Sequence, residues 1–142
     1  MDAQAIAEKV RDVMFADDAA SRMLGLQITE VSPGRAVATM TVRADMLNGF
    51  AICHGGLIAT LADSAFAFAC NSRNALTVAS GFGIDILKSA QLNDVLTATA
   101  EETSLAGRTG LYDITVKNQN GDLIAMFRGR SYRLGERKVF EA

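Results

Sequence analysis

Histidine is nearly missing from this chain: His54 is the only one in 142 residues. A multi-histidine metal centre is therefore impossible. The two cysteines, Cys53 and Cys70, fit neither a zinc spacing nor a disulfide framework, so no metal is expected. Free thiols of this kind suit a reducing compartment, and a cytoplasmic location is expected. Charge of one sign is also lacking. Fourteen Lys and Arg stand against sixteen Asp and Glu, for a net charge of −2. No basic run marks a nucleic-acid footprint. The longest apolar stretch, Leu57 to Cys70, falls short of the roughly 20 residues a membrane span needs and carries Asp63. Met1-Asp2-Ala3-Gln4 begins acidic, without a signal-peptide pattern. There is no G-x-S-x-G elbow and no Walker loop. Gly81-Phe82-Gly83 starts like a dinucleotide fingerprint but lacks its third glycine and the helix that must follow.

What is present suits one ordinary globular domain, residues 1–142: hydrophobic residues are 49% of the chain and charged residues 21%. No linker and no internal repeat divides it. Ile6, Val10, Val13 and Met14 have helical spacing and predict a helix over 3–16. Residues 25–31 and 36–42 read as strands around the turn Ser32-Pro33-Gly34-Arg35, which holds the only proline. A loop around Asn48-Gly49 precedes a helix from Gly55 to about Ser72. Strands are expected over 77–88, 95–105, 109–117 and 123–134. In the second of these, Leu96, Ala98 and Ala100 share one face, and Thr97, Thr99 and Glu101 share the other. The central helix is apolar on nearly all sides and rich in alanine. It predicts an α+β fold in which an antiparallel sheet wraps around one long helix and encloses it.

From Gly55 to Cys70, Asp63 is the only ionisable group apart from the thiol. An unpaired charge among apolar neighbours is costly, and such carboxylates concentrate at active sites. Gly55 and Gly56 open the same helix and leave its first N–H groups free of side-chain cover, where developing negative charge is stabilised.

Met46-Leu47-Asn48-Gly49, Cys53-His54-Gly55-Gly56, Leu61-Ala62-Asp63-Ser64-Ala65-Phe66-Ala67, Asn71-Ser72, the segment Asp94 to Ala100 and Phe127-Arg128-Gly129 together resemble the hotdog-fold thioesterases. The branch they resemble is that of the phenylacetate-degradation acyl-CoA thioesterases. The resemblance covers nearly the whole chain. It implies hydrolysis of a coenzyme A thioester, an aryl-acetyl or hydroxylated phenylacetyl ester being favoured, with no cofactor, since coenzyme A is part of the substrate. It implies a homodimer as the active unit, paired again into a homotetramer. The Gly55 N–H is expected to polarise the thioester carbonyl, and Asp63 to act as nucleophile or general base. Asn48 and His54 are expected to shape the loop and the helix start, and Ser80 to hold a water. Lys88, Arg108 and Arg128 are expected to meet coenzyme A phosphates. The chain departs from the family pattern at Lys88-Ser89, where an Arg-Pro pair is common, and at Asn93, where glycine is common.

Helix geometry adds a constraint. Gly55 and Asp63 are eight residues apart, so their backbones stand roughly 12 Å apart along the axis. Both must come within about 3 Å of one carbonyl group to act on it. One chain cannot supply both, which predicts a two-fold dimer with two shared sites. Two other functions remain open on the residues alone: an acyl-CoA-binding domain without catalysis, and a hotdog dehydratase or hydratase. The retained Asp63 speaks against the first. The passage of His54 directly into Gly-Gly speaks against the second.

Overall fold

Asp2 starts the first helix, its carboxylate accepting the Ala5 N–H at 2.8 Å. In the computed structural model, which describes residues 1–141, this helix α1 spans Ala3–Asp17. Asp18 caps a second, five-residue helix, α2, Ala19–Met23. The strands follow as β1 Gln27–Ser32 and β2 Arg35–Thr41, then the long helix α3 Gly55–Cys70, then β3 Thr77–Ile86, β4 Val95–Ala106, β5 Thr109–Lys117 and β6 Leu123–Arg133. They make one six-stranded sheet in the order β1-β2-β4-β5-β6-β3, and every pairing is antiparallel.

The alternation seen in residues 95–101 is real. Leu96, Ala98 and Ala100 are fully buried against α3, and their register partners on β2, Met40, Ala38 and Ala36, are buried beside them. Small side chains on both strands let the sheet approach the helix closely. Phe66 of α3 fills the wider space under β5 and β6, whereas Phe68, round the helix from it, meets Phe15 of α1 with ring centroids 6.5 Å apart. The Phe66 ring packs on Tyr112 and Phe127, with centroids 5.5 and 6.0 Å away.

Gly129 makes that packing possible. A Cβ added there would lie 2.7–2.9 Å from three carbons of the Phe66 ring. The ring is itself held by Tyr112 and Phe127 and has nowhere to retreat. Gly129→Ala is therefore expected to destabilise the fold by about 1–3 kcal/mol, the usual cost of overpacking a core. A lowered urea midpoint with an unchanged m-value is the expected signature.

Three expectations shift. The helix α2 breaks the stretch before β1, which starts at Gln27 because Gly25 turns the chain with φ +72°. α3 ends at Cys70 rather than Ser72. The Asn71 side chain caps it by donating to the Ala67 carbonyl, and the Ser72 hydroxyl donates to the Ala69 carbonyl. α3 is also not enclosed on all sides in one protomer. Gly56, Thr60, Asp63, Ala67 and Cys70, spaced at three or four residues, leave one stripe of it partly open.

Candidate functional site

The loop before α3 is built by Asn48. Its side-chain oxygen accepts the N–H groups of Phe50 and Ile52, at 2.9 and 3.3 Å, and its own N–H bonds the Ile52 carbonyl. This turn returns the chain so that the N–H of Cys53 reaches the Ala90 carbonyl and that of His54 reaches Met46, both at 2.8 Å. His54 is the extended residue before the helix, and its side chain is exposed. Its carbonyl takes the N–H groups of Leu57 and Ile58, which leaves those of Gly55 and Gly56 as the free donors of the helix start. Gly55 is pressed against β3: a Cβ there would stand 2.8 Å from Cδ1 of Ile86.

Two turns further on, Asp63 faces a groove of about 330 Å³ between α3 and the start of β3. Met14, Phe66, Leu76, Val78 and Val139 make its walls apolar. Among the described residues, no donor is bonded to the Asp63 carboxylate and no cation faces it. Burial raises its pKa, and the nearby Asp18 carboxylate adds to the rise. Asp18 is held in place by Ser21, whose hydroxyl donates to it at 2.7 Å and lies 2.9 Å from the buried Ser64 hydroxyl. The short helix α2 thus sets a negative charge near Asp63, a feature that no periodicity in the sequence marked. Cys70 borders the same groove, but burial pushes its thiol up to about 12, so it stays protonated near neutrality and is no nucleophile.

A carboxylate whose folded pKa is raised is more easily ionised in the unfolded chain, so at neutral pH it works against folding. Asp63→Asn is expected to raise the melting temperature at pH 7. That gain should shrink as pH falls through the raised folded value and vanish below the ordinary carboxylate value of 3.8, where both forms are neutral. Thermal melts of the two proteins from pH 3 to pH 8 check this.

The remaining expected site residues lie elsewhere. Ser80 is the extra residue of a β-bulge between Ala79 and Gly81 on β3; it is exposed, and its hydroxyl donates to the Arg130 carbonyl at 3.2 Å. Lys88 pairs with Asp122 at 2.7 Å, and Arg128 grips Asp113 with two bonds of 2.7 and 3.0 Å. Both pairs are solvent-exposed and weak enough for an anion to displace. Arg108 sits at the β4–β5 turn. The three cations do not converge on one groove within a protomer. Asn93, the departure from the usual glycine, has φ +72°, a left-handed conformation that asparagine tolerates better than most residues, so the turn is kept.

Known proteins resemble this chain in sequence and in fold. The Thioesterase superfamily model matches residues 50–125, which include Gly55 and Asp63. The chain is 48% identical to the acyl-coenzyme A thioesterase PaaI of Escherichia coli K12 over 122 residues, 86% of this chain and 87% of that one. It superimposes on the structure of E. coli PaaI, a protein of the phenylacetic acid degradation operon, with a TM-score of 0.93 over 96% of this chain and 99% of that one, at 43% identity. A hypothetical thioesterase protein from Streptococcus pneumoniae TIGR4, solved with coenzyme A, matches with a TM-score of 0.81 at 26% identity, over 91% of this chain and 99% of that one.

Proposed function

Since this chain belongs to the thioesterase superfamily and has its hotdog fold, we propose that it hydrolyses acyl-CoA thioesters, releasing coenzyme A and a carboxylic acid. The observation that carries this reading is the unpaired Asp63 carboxylate in an apolar groove, on the same helix as the two free N–H groups of Gly55 and Gly56. In the reaction, the N–H of Gly55 holds the thioester oxygen as negative charge develops on it. Asp63 either attacks the carbonyl carbon or takes a proton from the attacking water. On the first route the coenzyme A thiolate departs to leave a mixed anhydride on Asp63, which water then hydrolyses to the acid; on the second the thiolate departs from the tetrahedral intermediate that water formed, and leaves the acid directly.

The active unit in this reading is a homodimer, and the sheet edge supports it. β3 is an edge strand with three large apolar side chains left about half exposed: Val78 at 43%, Phe82 at 48% and Ile86 at 46%. Exposed apolar edges of this kind invite pairing with another strand. Suppose β3 pairs antiparallel with its own copy about a two-fold axis near Phe82. Ile86 of one chain then comes opposite Val78 of the other. Ile86 touches Gly55, and Val78 lines the Asp63 groove. The same two-fold therefore brings the helix start of each chain toward the carboxylate of its partner, as the 12 Å separation on one helix requires. Further pairing into a homotetramer belongs to the same reading.

An aryl-acetyl or hydroxylated phenylacetyl group suits the groove, whose walls Met14, Phe66, Leu76 and Val78 make apolar. Two free cysteines, one of them buried, fit a cytoplasmic setting. The deciding experiment is thiol release from a panel of phenylacetyl, hydroxyphenylacetyl, benzoyl and straight-chain CoA esters. The expected order places the aryl-acetyl esters first. Absence of thiol release from every ester by a folded dimer would leave the non-catalytic acyl-CoA-binding alternative.

A further inference from the structure

Three arginines distant in sequence meet at the end of the core beyond the C-terminus of α3. Arg73, Arg108 and Arg133 line a cavity of about 270 Å³ together with Thr77, Tyr112 and Ser131. The sheet brings them together: the N–H of Arg133 donates to the Arg108 carbonyl at 2.8 Å, and Arg133 pairs with Thr77 across β6 and β3. Among the described residues, no carboxylate lines this cavity. Arg73 is neutralised by Glu102, which also accepts from the Tyr112 hydroxyl at 3.1 Å. Arg108 and Arg133 have no acidic partner among the described residues. The Nε of Arg133 is fully buried and has no hydrogen-bond partner among the described residues. A buried guanidinium donor without an acceptor is costly, and native proteins rarely leave one so. Its fork geometry matches an oxygen anion, carboxylate or phosphate.

The geometry points to an oxyanion site formed by Arg73, Arg108 and Arg133, with the Ser131 and Thr77 hydroxyls at its wall, which takes a carboxylate or phosphate group of a small molecule. Its position ties it to the reaction. Cys70 and Thr77 border both this cavity and the Asp63 groove, so the two are neighbours across one side-chain layer. Asp63 and Cys70 are seven residues apart, roughly 10 Å along the helix. An acyl chain of that length with a carboxylate at its far end could fill both, or a separate small anion could occupy the site beside the acyl group.

Two measurements test the site and separate these sources. The first is calorimetric titration with inorganic phosphate and with adipate. The wild type is expected to bind at least one of them, Arg133→Lys and Arg108→Gln at least about tenfold more weakly, and Lys117→Gln unchanged. This arm does not rest on the thioesterase reading. Two variants are used because Arg133 is partly built into the core, whereas Arg108 lies at an exposed turn that tolerates replacement. The second arm does rest on that reading. It compares kcat/KM for adipyl-CoA with that for hexanoyl-CoA. Both esters carry the same coenzyme A, so any contact of Arg108 with the nucleotide cancels in the ratio. A ratio that falls about tenfold in Arg108→Gln assigns the anion to the acyl chain. Anion binding lost in the variants with an unchanged ratio assigns it to a separate molecule. Wild type and both variants that bind neither anion differently, and share one ratio, overturn the site.

Discussion

Asp63→Ala is expected to lower kcat by at least about 100-fold, the lower part of the range for loss of an acid–base group, while the fold and the dimer survive. The groove contains no substitute. Its other walls are apolar apart from Thr77, Asn71 and Cys70, and the thiol is held protonated by burial. His54, the chain's one imidazole, is exposed at the helix start, two turns away from Asp63 on the same chain. In the proposed reaction the raised pKa of Asp63 makes it a stronger base, since a carboxylate nearer neutrality holds a proton better. The wild-type profile of kcat/KM should accordingly fall on the acid side at a pH above the ordinary carboxylate range, and that limb should be missing from the residual activity of Asp63→Ala. Near-normal turnover in the folded variant would falsify the assignment. The stability gain expected for Asp63→Asn points the same way: the carboxylate opposes folding, so its presence must be explained by something other than stability.

Asp63 was legible in the sequence because one charge in sixteen otherwise apolar or weakly polar residues is a local anomaly. The strands were legible for a related reason. Residues 95–101 alternate, and the alternation reports which side meets α3. Where several distant segments cooperate, nothing local remains to be read. The helix α2 has five residues, fewer than are needed to show a period, yet it sets Asp18 near the Asp63 carboxylate. Arg73, Arg108 and Arg133 lie on three different segments, and only the register of β6 with β3 and β5 makes them a cluster. The absence of a basic run in the sequence therefore did not exclude a basic cavity. Conversely, Lys88 and Arg128 are expected from the sequence to meet coenzyme A phosphates, and the fold gives each an acidic neighbour, Asp122 and Asp113.

Gly55→Pro is expected to remove the N–H that holds the developing oxyanion, at a cost near the ~3 kcal/mol typical of one such donor. Proline is tolerated at a first helical position, where the N–H has no helical partner. Its ring would nonetheless crowd Ile86, which already stands 2.8 Å from a hypothetical Cβ, so circular dichroism and gel filtration must first show an intact dimer. The stronger test follows from helix arithmetic. Gly55 and Asp63 stand roughly 12 Å apart on one helix, so each site needs one of them from each chain. Asp63→Ala and Gly55→Pro, both inactive alone, should then rescue each other. In a mixed dimer one site receives both damaged groups. The other receives the intact Gly55 of the first chain and the intact Asp63 of the second. Random pairing makes half of the dimers mixed, each with one good site, so about a quarter of wild-type activity should return by symmetry. The two variants are unfolded, mixed and refolded, and thiol release is compared with each refolded alone. Heterodimers confirmed by mass spectrometry that stay inactive would show that Gly55 and Asp63 do not serve one site across the interface. Recovery near a quarter would place them there, because no arrangement within a single chain produces activity from two dead ones.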